Sequence, residues 1–277
     1  MTNRILRARG ATLTLGHRTL VMGVVNVTPD SFSDGGLFLD REAALAHAAA
    51  LAAEGADILD IGGESTRPGH EAVAGDAEIA RAIPVVAGVA ASASAPVSID
   101  TWKSAVADAA LAAGAAIVND VWGLQRDPDI ARAAAAHGAA VVAMHNRDAA
   151  DGGIDILADI EGFLRRSVDI ALAAGIGEDQ IVLDPGIGFG KTFEQNLTII
   201  AHLPRIRAIG FPVLLGASRK SFIGRILDRP VPAERLSGSI AAHVAGALAG
   251  VEIVRVHDVA AHRDAVAVAD AIRRAGA

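Results

Sequence analysis

The chain has 277 residues, a formal net charge of −7 and no cysteine. Disulfide frameworks and thiolate metal sites are thereby excluded, and a reducing compartment is permitted. The acidic balance, the lack of any basic run and the 3% aromatic content argue against nucleic acid as a ligand. No apolar stretch approaches the roughly 18 residues of a membrane span.

The first ten residues carry basic side chains without an apolar core segment, so no signal peptide is expected. Residues 1–19, with Thr12–Leu15 followed by Gly16 and His17, read as a short hairpin that caps the bottom of the barrel predicted from the elements that follow. From there, short apolar runs alternate with alanine-rich segments of helical pattern. The runs are 20–27, 57–61, 96–99, 116–119, 140–144, 181–184, 212–216 and 252–256. Most are apolar almost throughout, as parallel strands covered on both faces must be. Helices are predicted over 41–54, capped by Asp40, and over 103–113, 127–137, 156–174, 193–209 and 235–249. Each is followed by a glycine, which closes a helix cheaply in the left-handed conformation. Eight strands alternating with helices predict a single-domain (β/α)8 barrel spanning residues 1–277. A doubly wound sheet is the competitor, but it usually has fewer strands.

The last residues of the runs are polar: Asn26, Asp60, Asp100, Asn119 with Asp120, His145 with Asn146 and Arg147, Asp184, Ser218 to Ser221, and Arg255 with His257 and Asp258. Any one of these taken alone is most simply a helix cap or turn residue. That explanation weakens when every run ends this way, because the C-terminal end of a barrel is where catalysis is built. Caps would not also require Arg67, Lys220, Arg255 and His257 at that end. Two nucleotide motifs fail. Gly190-Lys191-Thr192 resembles the end of a phosphate-binding loop, but Pro185 stands where its first glycine belongs; Gly186, Gly188 and Gly190 lack the dinucleotide spacing.

Carboxylates and an amide at Asp100, Asn119 and Asp184 suit a ligand rich in ring N–H and amino groups. Arg255 and His257 suit a phosphate or diphosphate. Asn26 can offer an oxygen to a hard cation such as Mg²⁺, which leans on substrate phosphates.

The segments from Gly23 to Gly36 (GVVNVTPDSFSDGG) and from Asp60 to Gly69 (DIGGESTRPG) resemble the two signature loops of the dihydropteroate synthase family. Ser98 to Thr101, Asn119-Asp120, Leu183 to Gly190, Gly216 to Ser221 and Val254 to Asp258 continue the likeness in order over nearly the whole chain. The resemblance implies a barrel that joins (7,8-dihydropterin-6-yl)methyl diphosphate to 4-aminobenzoate, releasing 7,8-dihydropteroate and diphosphate. It implies that Asp100, Asn119, Asp184 and Lys220 hold the pterin between Met144 and Ile117. Asn26, Thr66, Arg67, Arg255 and His257 would hold the diphosphate, with Mg²⁺ on Asn26. Phe32, Pro68, Phe189, Lys220 and Ser221 would surround the aminobenzoate, and Asp34 would help close the first loop. Asp100, Asp184, Lys220 and Arg255 would act in catalysis. The resemblance further implies a cytoplasmic homodimer without membrane or nucleic-acid partners, and a sulfonamide target. One departure is Met144-His145-Asn146-Arg147, where relatives often carry a second methionine. The alternatives are a methyltransferase acting between methyltetrahydrofolate and a corrinoid protein, which would not need the 218–221 run, and a non-catalytic pterin-binding module, which would have lost Asn26 or Arg255.

Overall fold

The structure is a computed structural model and describes residues 4–27, 36–64 and 73–276. Strands β1 (Arg4–Ala8) and β2 (Ala11–Leu15) pair antiparallel as the predicted hairpin. The remaining strands form one eight-stranded parallel sheet. They are β3 (Leu20–Asn26), β4 (Ile58–Gly62), β5 (Val97–Asp100), β6 (Ile117–Asp120), β7 (Ala140–Met144), β8 (Ile181–Asp184), β9 (Leu214–Leu215) and β10 (Ile253–Val256). Strands β3 to β8 lie side by side in chain order, and β10 and β9 follow on the other side of β3. The two ends meet at a parallel bridge between Leu183 and Val213, where the Leu183 amide donates to the Pro212 carbonyl at 2.9 Å. The sheet thus curls into a barrel. β9 is shorter than the predicted run over 212–216, because Pro212 has no N–H to give to a ladder.

The helices are α1 (Gly36–Ala53), α2 (Gly75–Ser92), α3 (Ser104–Ala112), α4 (Asp129–Ala136), α5 (Ile156–Ala173), α6 (Phe193–Ala201), α7 (Leu203–Arg207), α8 (Ser221–Leu227), α9 (Leu236–Leu248) and α10 (Val259–Ala275). The glycines expected to close helices do so: Gly55, Gly114, Gly138, Gly175, Gly210 and Gly250 all have positive φ. Two expectations are corrected. Asp40 is not a cap, since α1 already begins at Gly36. The helix predicted over 193–209 is two helices, broken at His202, because Pro204 near the start of α7 cannot continue the hydrogen-bond ladder. Helices α2, α8 and α10 lie outside the predicted set.

Alternation along the strands sorts the core into two apolar clusters. The outer one lies between sheet and helices and includes Val21, Leu59, Ile61, Ile99, Val118, Val141, Leu183 and Val254. The inner one includes Leu20, Met22, Ile58, Ile117, Val142, Val182, Leu214 and Ile253, with Leu6, Ala8 and Leu15 of the hairpin packed against them. Hairpin side chains therefore share the barrel's interior at its N-terminal end. Side chains two residues further along each strand face the same way. Stepping by two from Ile58, Ile117, Val182 and Ile253 reaches Asp60, Asn119, Asp184 and Arg255. The polar ring is the upper layer of a barrel whose lower layers are apolar.

Candidate active site

Arg255 occupies the middle of this layer. Its Nε donates to Oδ2 of Asp60 at 2.6 Å and its Nη2 to Oδ2 of Asp100 at 2.7 Å. Asn119 Nδ2 donates to the same Asp60 oxygen at 3.1 Å. Two strand ends, β4 and β5, are thereby joined to β10 through one guanidinium, and β6 joins them through Asp60. Asp60, Asp100 and Asn119 are buried, and the Arg255 side chain keeps 20% exposure toward the mouth. Burial alone would lower the Arg255 pKa, but the two carboxylates push it above its usual value. Burial raises the Asp100 carboxyl and Arg255 pulls it back. Oδ1 of Asp60 and Oδ1 of Asp100 are buried and have no hydrogen-bond partner among the described residues.

Asp184 closes β8. Its Oδ1 accepts the Gly186 amide at 2.6 Å. Burial raises its pKa to about 6, against the lowering effect of that amide and of the Lys220, Lys191 and Arg255 charges. Met144, opposite Asp184 in the ladder, is buried, and Ile117 lies in the inner apolar cluster two residues below Asn119. Asp120, adjacent to Asn119, faces away from the ring; it accepts the Trp122 and Leu124 amides and shapes the turn after β6.

The loop after β8 lies directly against the end of β7. Gly186 and Gly190 have φ of +70° and +56°, and a Cβ on either would sit 1.9 Å from the His145 carbonyl or 2.4 Å from that of Arg147. No other residue could take this path. The loop carries Phe189, and the Lys220 ammonium stands 4.1 Å from the centre of its ring, a cation–π distance. Lys220 precedes α8, which Ser221 opens with an exposed side chain.

At the junction of β9 and β10, Ser218 Oγ lies 3.0 Å from Nδ1 of His257. Burial pushes the His257 pKa down to about 3, with the Arg219 and Arg255 charges acting in the same direction, so its imidazole is neutral near pH 7. Arg219 has the left-handed φ of +59° and reaches Asp258 through Nε at 3.1 Å and Nη2 at 2.6 Å. That two-pronged pair ties the loop bearing Lys220 to the loop bearing His257. Asn26 ends β3 beside Gly62, half-buried at the same rim. Phe32, Asp34, Thr66, Arg67 and Pro68 lie outside the described residues.

The sequence reading left Asp60 without a partner, although its place at a strand end was visible. It also missed Lys103, whose Nζ donates at 2.6 Å to both Glu64 and Glu78. Glu64 also accepts the Val73 amide at 2.8 Å, so this cluster holds both described ends of the segment between them. No local motif signals a lysine shared by glutamates 25 and 39 residues away along the chain.

An apolar barrel floor under a ring of buried carboxylates, an amide and cations, with an aromatic side chain at the rim, defines an α/β-barrel enzyme for a small polar heterocycle. The family described as Pterin binding enzyme matches residues 22–257. Dihydropteroate synthase of Bacillus subtilis (strain 168) is 48% identical over 256 residues, covering 92% of this chain and 89% of that one. The solved Xanthomonas albilineans dihydropteroate synthase with 4-aminobenzoic acid superposes with a TM-score of 0.94 at 47% identity, covering 98% of this chain and 99% of that one. A dihydropteroate synthase from Clostridium difficile, solved in the presence of pteroic acid, has a TM-score of 0.90 at 48% identity, covering 93% and 98%. The chain belongs to the dihydropteroate synthase family of pterin-binding enzymes. Dihydropteroate synthesis, a transferase reaction, is its activity. Neither the methyltransferase nor the non-catalytic module finds support in these matches.

Proposed function

We propose that the ring works as three adjoining subsites for the joining of (7,8-dihydropterin-6-yl)methyl diphosphate to 4-aminobenzoate. Asp100, Asn119 and Asp184 hold the pterin ring, with Met144 and Ile117 as apolar walls and Lys220 at the edge. The observation that carries this reading is Oδ1 of Asp100, a buried acceptor unpaired among the described residues beside a charge-balancing arginine. Buried acceptors of this kind demand a donor, and a pterin's ring N–H and amino groups supply donors.

Asn26, Arg255 and His257 meet the diphosphate, together with Thr66 and Arg67 of the second loop. Among the described residues no group of three or more His, Asp or Glu could hold a metal ion by itself. A half-buried amide at Asn26 still fits Mg²⁺, which binds through few protein oxygens and leans on substrate phosphates. When bound, the ion would neutralise charge on the leaving diphosphate. Phe189, Lys220 and Ser221 line the aminobenzoate subsite, with Phe32 and Pro68 from the first two loops.

The chemistry breaks the bond between the pterin methylene and the diphosphate oxygen and forms a bond from that carbon to the arylamine nitrogen. Arg255 stabilises charge growing on the leaving oxygen. The Asp100 and Asp184 carboxylates offset positive charge spreading through the pterin. A weakly basic arylamine attacks as the neutral amine, so no strong general base is required, and its proton leaves after bond formation. The first two loops exclude water from the cation.

We also place the enzyme in the cytoplasm as a homodimer, and as a target for sulfonamides. No helix among the described residues is long and apolar enough to cross a membrane. Leu248 on α9 and Val268 and Ile272 on α10 are exposed apolar side chains on neighbouring helices, suited to a second copy. The direct experiment incubates the chain with the dihydropterin diphosphate, Mg²⁺ and 4-aminobenzoate and measures dihydropteroate and diphosphate. Folded protein that binds pterin yet yields no product would overturn the proposal.

A further inference from the structure

Lys191 belongs to the Gly190-Lys191-Thr192 motif that fails as a phosphate-binding loop, and its ammonium is turned to protein groups. Nζ lies 2.9 Å from Nδ1 of His145, 3.3 Å from the His145 carbonyl and 2.9 Å from the Phe189 carbonyl. An ammonium has three N–H donors and no acceptor, so these contacts match its capacity. Nδ1 of His145 is therefore an acceptor, and its proton sits on Nε2, which donates to Oδ2 of Asp159 at 3.0 Å. Arg147 Nη1 holds the same Asp159 oxygen at 2.8 Å. Thr192 caps α6 and Gln195 returns the contact, which fixes the far side of the loop.

The reason for a lysine lies in the packing of the loop. Gly186 and Gly190 bring the loop so close to β7 that two carbonyls, of His145 and Phe189, converge where no backbone amide among the described residues answers them. A partly buried carbonyl needs a donor. A lysine reaching back along its own loop provides one for both.

We propose that Lys191 is a positioning residue for 4-aminobenzoate: by binding the Phe189 carbonyl to the end of β7, it fixes the Phe189 ring against Lys220. The proposal rests on the reading of Phe189 as part of the aminobenzoate subsite. It also predicts a pH dependence. Partial burial lowers the Lys191 pKa to about 7, with Lys220 and Arg147 acting the same way and Asp184 and Asp159 opposing. Neutral His145 completes the groups that face it. Above pH 7 the amine loses one of its three donors, and the loop loses one of its three contacts.

The test is steady-state kinetics of Lys191→Met and Lys191→Arg alongside Phe189→Leu and the double variant Lys191→Met/Phe189→Leu. The expected result is a KM for 4-aminobenzoate raised about tenfold or more in both Lys191 variants, with the KM for the dihydropterin diphosphate within about twofold. In the Phe189→Leu background, Lys191→Met adds little to that KM. The wild-type KM for aminobenzoate rises between pH 7 and 9, and that of Lys191→Met does not. Equal changes in both KM values, no change in either, full additivity with Phe189→Leu, or loss of folding in both Lys191 variants would overturn the proposal. A Phe189→Leu enzyme with unaltered aminobenzoate KM would instead overturn the assignment of Phe189 to that subsite.

Discussion

Nη2 of Arg255, on the last barrel strand, lies 2.7 Å from Oδ2 of Asp100, on the third. The side chain thus spans the barrel mouth and places a cation between groups assigned to the pterin and groups assigned to the diphosphate. Its Nε contact with Asp60 makes the arrangement a three-residue ion cluster. Removing the arginine leaves two buried carboxylates facing one another. Arg255→Met should cost about 3–5 kcal/mol of unfolding free energy, the range for breaking a buried pair, besides abolishing synthesis. Adding Asp60→Asn should recover part of the stability and none of the activity. Urea titrations of the single and double variants decide this; a single variant as stable as wild type would show that the cluster has no structural weight.

Asp184 gives a prediction in which stability and function oppose one another. Its pKa is about 6 in the folded chain, above the usual carboxylate value of about 3.9. Between those values the native state holds more protons than the unfolded state, so stability falls as pH rises, and the full cost is present above pH 6. Asp184→Asn should therefore stabilise the unliganded chain at pH 8 by roughly 3 kcal/mol, and the gain should vanish near pH 4. If Asp184 holds the pterin as proposed, binding draws on the ionised acceptor, so pterin affinity for wild type should fall as pH drops through 6 and should be poor in the variant at every pH. Calorimetric titration with a pterin, together with urea melts from pH 4 to 8, tests both halves. A variant less stable than wild type at pH 8 would contradict the cost assigned to the charged form.

The loop after β8 allows conformational strain to be separated from steric conflict. A Cβ at Gly138 meets nothing within 4 Å, whereas one at Gly186 would lie 1.9 Å from the His145 carbonyl, and both glycines have positive φ. Gly138→Ala should cost only about 1–2 kcal/mol, the left-handed penalty. Gly186→Ala should cost that plus at least about 1–3 kcal/mol for displacing backbone, with loss of activity as Phe189 shifts. Thermal melts and turnover of the two variants suffice, and equal effects would refute the close packing of this loop.

Among the described residues, Lys103 is the one cation shared by Glu64 and the fully buried Glu78, at 2.6 Å each. Burial raises the Glu78 pKa, and the Lys103 contact draws it back. Lys103→Met should destabilise the chain by about 3 kcal/mol at pH 8 and less at pH 5, where protonation of Glu78 relieves the uncompensated charge. A pH-independent loss would contradict this account.

Much of the fold was legible in short-range pattern. Eight apolar runs became eight strands, and six glycines ended helices where left-handed backbone was needed. What misled was also local in appearance. Asp40 had the residue type and spacing of a cap, yet α1 starts at Gly36. A continuous helical pattern over 193–209 hid the break at His202, which Pro204 imposes.

The candidate site divides in the same way. Period-two alternation along each strand determines that Asp60, Asn119, Asp184 and Arg255 share the inward direction of the apolar floor, so the sequence by itself determined the ring and its chemistry. Only the tertiary structure decided the pairings: Arg255 with Asp60 and Asp100, Arg219 with Asp258, and Lys191 with His145 and Phe189. The physical reason is closure. Curling an eight-stranded sheet into a barrel brings β10 beside β3 and sets residues 155 and 195 positions apart within hydrogen-bond reach, and no pattern confined to neighbouring residues contains that distance.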